Sequence, residues 1–200
     1  MADFTAIAQL RFRQLYGDDN KFSLCSNFND LFDELFETTN RGLVFVWDDK
    51  SQSHSVFIDN SRGIGADRIL KVNNPRHEDL FLWHIDGVMY QRGTKCDCAL
   101  LNTSSLCFVE FKSEAQNNTP MQAQNEYLKA SSQIEVVLND FIHRAEHEAI
   151  DLHNINIRAI AVFNKTVPRN NASQKFIKRK FQKEFEKYGI RFDFLNEIDM

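Results

Sequence analysis

Long apolar runs are missing from this 200-residue chain. No stretch reaches the roughly 18 consecutive apolar residues that a membrane-spanning helix requires. The opening MADFTAIAQLRFRQLYG has neither the apolar core nor the small-residue cleavage site of a secretory signal. These absences predict a cytoplasmic protein without a membrane partner. Proline (3) and glycine (7) are scarce, which excludes collagen-like, linker-rich and low-complexity architectures. A large excess of one charge is missing too. With 24 Lys+Arg against 28 Asp+Glu the formal charge is −4, so the chain as a whole is not a polycation built to coat nucleic acid or membrane. Cysteine is limited to Cys25, Cys96, Cys98 and Cys107. No second pair stands at metal-ligand spacing, so these are expected to be reduced, packed thiols, with Cys96 and Cys98 on one face of a strand. No phosphate-binding glycine loop, serine nucleophile elbow or HExxH pattern is present.

What is there is an ordinary globular composition, 42% hydrophobic, with 18 phenylalanines to fill a core. The length fits one domain spanning 1–200. Phe28, Leu31, Phe32, Leu35 and Phe36 recur at helical spacing and predict a helix over Asn27–Thr38. Strands are expected at Gly42–Trp47, Ser55–Ile58 and Arg68–Val72, then at Leu82–Tyr90, Cys96–Leu101 and Leu106–Lys112, with turn signals at 93–94 and 102–105. Pro120 opens a long helix to about Leu152, with a stripe of Tyr127, Ile134, Val137, Leu138, Phe141 and Ala145. Asn156–Phe163 reads as a strand buried on both faces. A helix over Ala172–Tyr188 ends before Gly189, and Ile190–Phe194 closes the chain as a strand. The order predicts an α/β fold with a mixed sheet.

The segment that carries chemistry is KCDCALLNTSSLCFVEFK, Lys95–Lys112. Glu110 and Lys112 are two apart on one strand and share a face. The turn at 102–105 folds Asp97 back towards them. Two carboxylates and an ammonium then converge at one end of a sheet, inside strands that are otherwise apolar. Such a pair of acids repels itself, and a hard cation with few protein ligands, Mg²⁺ above all, relieves the repulsion. On the residues alone this is either a metal site or a structural salt bridge at the sheet end.

Asp97, Glu110-Phe111-Lys112, the long helix and the strand after it resemble the PD-(D/E)xK nuclease superfamily, the restriction-endonuclease-like fold. The resemblance covers about 27–38 and 82–163. It implies an α-β-β-β-α-β core with additional N-terminal strands and a C-terminal helix–strand extension over 165–200. It further implies Mg²⁺-dependent hydrolysis of phosphodiester bonds (Mn²⁺ as substitute), DNA before RNA, in DNA processing or phage defence. Asp97, Glu110 and the Phe111 backbone carbonyl would hold the metal, and Lys112 would be the catalytic lysine. Cys96 stands where the family's proline would be. Many members add an acid from the first helix; Glu34 fills that role here, with Asp30, Glu37 and Glu78 as alternatives. Some carry a glutamine on the following helix. Gln122, Glu126 and Gln133 fall along one edge of helix 120–152, and Gln133 is the choice because Ala130 lets the helix approach the sheet.

Between Lys165 and Lys187 eight basic residues face only two acids, Glu184 and Glu186. Lys175, Lys178, Arg179 and Lys183 are therefore expected to contact a phosphate backbone; the alternative is a solvated helix face. Nucleic acid is the expected partner, and a homodimer is compatible with the resemblance. Two other functional readings stand beside the nuclease: a non-catalytic module binding nucleic acid or protein on the same fold, and a structural or immunity-type partner protein.

Overall fold

Period-two alternation and the turns that interrupt it build most of this protein. The computed structural model describes residues 15–16, 34–59, 63–64, 68–90, 93–112, 119–163 and 171–200. Residues 27–33 of the predicted first helix, Cys25, Asp30, Lys165 and Arg169 lie outside them. The strands are β1 (Phe36–Thr39), β2 (Leu43–Asp49), β3 (His54–Ile58), β4 (Ile69–Asn73), β5 (Leu80–His84), β6 (Cys98–Leu101), β7 (Ser105–Lys112), β8 (Asn156–Phe163), β9 (Arg191–Phe194) and β10 (Glu197–Asp199). Among the described residues, helices α1 (Pro120–His147) and α2 (Ala172–Glu184) accompany them. The fold is α/β with two mixed sheets, one of six strands in the order β1-β5-β6-β7-β8-β9 and one of four in the order β10-β4-β2-β3.

The six-stranded sheet lies in the middle of three layers. Phe81, Trp83, Ala99, Phe108, Ala159, Ala161 and Phe163 pack on the helix side with Tyr127, Ala130 and Ile134 of α1. Their neighbours along the same strands, Leu82, Cys98, Leu100, Cys107, Val109, Ile160 and Val162, pack on the other side with Val44, Val46, Leu70, Val72 and Ile198 of the smaller sheet. Burial on both faces is why β7 and β8 read as nearly continuous apolar runs. Each such Val, Leu, Ile or Phe contributes about 1.5–3 kcal/mol by leaving water. Strands β5 and β6 pair antiparallel, as do β6 and β7. The chain then crosses through α1 to β8, which runs parallel to β7 from Ser105↔Asn156 to Lys112↔Phe163.

Several boundaries differ from the sequence expectation, each for a local reason. The predicted helix to Thr38 gives way at Phe36 to strand β1, which pairs antiparallel with β5 from Phe36↔Trp83 to Thr39↔Leu80. Only Glu34 and Leu35 are helical in the described part. The open edge of β5 and the β-branched Thr38 and Thr39 favour extension there. The strand expected to reach Tyr90 stops at His84, because Gly87 adopts φ 78° and turns the chain so that Asp86 bridges to Tyr90. Helix α1 ends at His147 rather than near Leu152, with Ala149 at φ 53°. Helix α2 ends at Glu184, and a 3₁₀ turn, Glu186–Tyr188, leads into Gly189 at φ 64°. The strands expected at Gly42–Trp47, Ser55–Ile58 and Arg68–Val72 form as β2, β3 and β4, but their assembly into a separate sheet, and β10, have no counterpart in the sequence reading. Cys96 and Cys98 lie on opposite sides of the large sheet, Cys96 with the helices and Cys98 with the smaller sheet. Both Cys96 and Cys98 are free thiols, as is Cys107. Among the described residues no helix is long and apolar enough to cross a membrane.

Gly87 also carries a contact that fixes the two sheets. A Cβ there would lie 2.1 Å from the Ser53 carbonyl oxygen, in the β2–β3 hairpin. Gly87→Ala combines that clash with a left-handed φ, so it is expected to cost about 2 kcal/mol or more. Urea unfolding of the variant beside wild type measures this directly.

Candidate functional site

The site forms where β6 stops short of β7. The N–H of Asp97 donates to the Val109 carbonyl (3.2 Å) although Cys98 is the residue paired with Val109, so the chain bulges at the strand entry. That bulge places Cys96 and Cys98 on opposite sides. The Asp97 carbonyl accepts from Ile85 (3.3 Å) and Asp86 (3.0 Å), which ties the β5 turn to the same point. The carboxylate of Asp97 then takes the place of the missing strand, its Oδ2 accepting from the Phe111 N–H at 2.5 Å. In an antiparallel ladder a residue's N–H and C=O face the same neighbour. The Phe111 carbonyl is therefore directed to the edge occupied by Asp97.

Glu110 and Lys112 project from β7 towards α1, where their neighbours are apolar. Glu110 is 2% exposed and Lys112 is 7% exposed. Lys112 Nζ donates to Glu110 Oε1 at 2.6 Å and to Gln133 Oε1 at 2.5 Å. Gln133 is held in turn by its Nε2, which donates to the Lys95 carbonyl at 2.9 Å. Ala130, fully buried one turn earlier on α1, lets the helix come this close. The second oxygen of Glu110, Oε2, is buried without a hydrogen-bond partner. A native fold rarely leaves a carboxylate oxygen so.

Burial pushes the Glu110 carboxyl up to about 7, against the pull of Lys112, with Asp48 and Asp86 adding to the rise. Asp97 is raised well above the carboxylate range by burial first and then by Glu110 and Asp48. Asp48 is itself raised, by burial first, with Asp86 among the charges opposing its ionisation. Asp48 and Asp86 are thus the acids that reach the pair electrostatically, and sequence reasoning had not selected them. Asp48 follows Val44 and Val46 on the face of β2 turned to the large sheet, a position an alternation count could have flagged. Asp86 is paired with Lys95 at 3.1 Å. Among the described residues no three His, Cys, Asp or Glu side chains are grouped closely enough to hold a metal by themselves.

Other residues of the sequence reading lie elsewhere. Glu34 is exposed, and its contact with the large sheet is through its carbonyl, 3.1 Å from His84 Nδ1. The Glu37 carboxylate accepts from the Phe57 N–H at 2.9 Å, and that of Glu78 accepts from Thr103 at 2.7 Å. Gln122 is exposed at the start of α1 and Glu126 is half-buried. On α2, Lys175, Arg179 and Lys183 are exposed and fall at i, i+4 and i+8. Among the described residues these three have no ion-pair partner, whereas Lys178 is bound to Asp193 at 2.7 Å. Ile177, Phe181 and Phe185 anchor the opposite face, and Phe176 stands 64% exposed beside the basic row.

No family model matches this chain, and no curated protein or solved structure does either.

The raised Glu110 carboxyl has a thermodynamic consequence. Between its ordinary value of 4.5 and about 7, the folded chain holds a proton that the unfolded chain has released. Stability from this group is therefore greatest at acid pH and falls as pH rises through that window. Glu110→Gln, measured in EDTA, is expected to flatten the pH dependence of thermal stability across it. At pH 8 the gain should be on the order of 2 kcal/mol, with Lys112 keeping Gln133 as an acceptor. A structural salt bridge predicts a loss at pH 8 instead.

Proposed function

We propose that the protein is a Mg²⁺-dependent nuclease of restriction-endonuclease-like fold, acting in the cytosol on DNA before RNA. The observation that carries this reading is the buried, unpartnered Oε2 of Glu110 beside a desolvated Asp97, with a lysine fixed from the same strand. The sheet order β5-β6-β7-β8, with an antiparallel meander, a helical crossover and a parallel fourth strand, is what that fold would require. Free, buried Cys96, Cys98 and Cys107 support a reducing compartment.

The donor set fits a hard cation. Asp97, Glu110 and the Phe111 carbonyl are all oxygen ligands, and the shortage of a third carboxylate suits an ion that keeps several waters. When bound there, Mg²⁺ supplies Lewis-acid neutralisation of charge at a scissile phosphate. Glu110 and Asp97 would hold the ion at the β6–β7 edge, where a scissile phosphate could reach it. Lys112 presents its ammonium to the developing negative charge, and Gln133 and Glu110 keep it from swinging away. Gln133 is thus a positioning residue. Asp48 and Asp86 add negative charge that makes a cation more favourable at this edge. The row Lys175, Arg179 and Lys183 offers phosphate contacts on α2.

Lys112→Ala should abolish plasmid cleavage in Mg²⁺ or Mn²⁺ while leaving Mn²⁺ binding by calorimetry intact or tighter. Asp97→Ala and Glu110→Ala should lose both. A wild-type protein inert on duplex and single strands in either metal overturns the reading.

Replacing Lys175, Arg179 and Lys183 together by Ala should weaken DNA binding. Each lost phosphate contact should lower the slope of log K against log salt by roughly 0.9 for duplex DNA. Lys178→Ala, which instead strands Asp193, should affect stability more than the slope. An unchanged slope in the triple variant makes the row a solvated face.

A further inference from the structure

A second cluster of donors lies on the opposite side of the large sheet from Glu110. Strand β5 ends at His84, which alternates with Trp83 and faces the smaller sheet, and β3 of that sheet begins at His54. The two imidazole rings have centroids 4.5 Å apart and are tilted by 39°. Parallel stacking is therefore not what holds them together. Two imidazoles that bind one zinc through nitrogens about 2.0–2.1 Å from it bring their ring centres to about 5 Å from each other.

The tautomer of His84 follows from its partner. Nδ1 lies 3.1 Å from the Glu34 carbonyl oxygen, which can only accept, so Nδ1 carries the hydrogen. The lone pair is then on Nε2. That nitrogen is buried and has no hydrogen-bond partner, in a side chain 6% exposed. An imidazole whose far N–H is fixed by a backbone carbonyl is the arrangement in which metal-binding histidines are held. Burial, and the neighbouring His54, keep His84 below the usual imidazole range, so its lone pair is available at neutral pH. His54 lies close enough to Glu37 to pull that carboxyl down, against the larger rise from burial.

We infer that His54 and His84 form a two-imidazole site for a divalent cation of the zinc class, linking β3 of the smaller sheet to β5 of the larger. Imidazole nitrogen favours Zn²⁺ over the Mg²⁺ that oxygen donors favour. With two protein ligands, water completes the coordination, and the affinity is modest. The site is separate from Asp97 and Glu110 and does not rest on the nuclease reading.

The test is calorimetric titration of EDTA-stripped protein with ZnCl₂, with thermal melts at each zinc concentration. It is run in wild type and in an Asp97→Asn/Glu110→Gln background, which removes the other carboxylates. One zinc per chain, retained in that background and weakened about tenfold or more by His54→Ala, supports the site. His54 is only half-buried, so this variant is expected to fold; His84→Gln provides the second measurement. Zinc should raise the melting temperature wherever both histidines are present and not in His54→Ala. Binding unchanged by His54→Ala, binding lost in the carboxylate background alone, or no binding in wild type overturns it.

Discussion

A lysine ammonium under a helix has to find acceptors, and the acceptors of Lys112 organise this molecule. One is Glu110, two residues back on the same strand. The other is Gln133, which only a close approach of α1 can deliver. Leaving a buried charge unpaired costs several kcal/mol, more than any single apolar contact in the core gives back. The seating of α1 over β7 and the bond from Gln133 to the Lys95 carbonyl are consequences of satisfying that one ammonium. Glu110 is only half satisfied by the same bond, and its second oxygen keeps the electrostatic deficit on which the proposed cation site depends.

The edge where β6 gives out has a related logic. A strand that ends leaves the next N–H of its neighbour without a partner, and a buried orphan is rare. Asp97 supplies the missing acceptor with its side chain. The bulge that allows this also re-aims Cys96 and brings the β5 turn, and with it Asp86, against the same backbone carbonyl. Strand termination, side-chain capping and clustering of acids are one local solution. Between β5 and β6 the chain turns at Gly87, whose positive φ lets Asp86 bridge to Tyr90.

The smaller sheet does more than cover apolar surface. Its β2 strand continues the apolar face of Val44 and Val46 into Asp48, and its β3 strand opens with His54. Polar groups are thereby carried to the margin of the inter-sheet core, where burial perturbs them most. Both locations depend on the packing of the β2–β3 hairpin on the turn at Gly87.

The residues alone were enough for the parts set by local periodicity. The alternation of Leu106–Lys112, the helix signal from Pro120 and the apolar run of Asn156–Phe163 each produced the observed element, because period and capping act within a few residues of one another. Asp97, Glu110 and Lys112 were legible as charges interrupting apolar patterns, Gln133 only through the family resemblance, and the structure brings these four to one place. The extended course of Phe36–Thr39 was not legible, since it depends on an edge of β5 more than forty positions away in sequence. Nor were Asp48, the opposed faces of Cys96 and Cys98, or the pairing of His54 with His84. Those follow from a bulge and from one sheet lying on another. Sequence spacing has no term for contacts between segments that are distant along the chain, and only tertiary packing decides which of them meet.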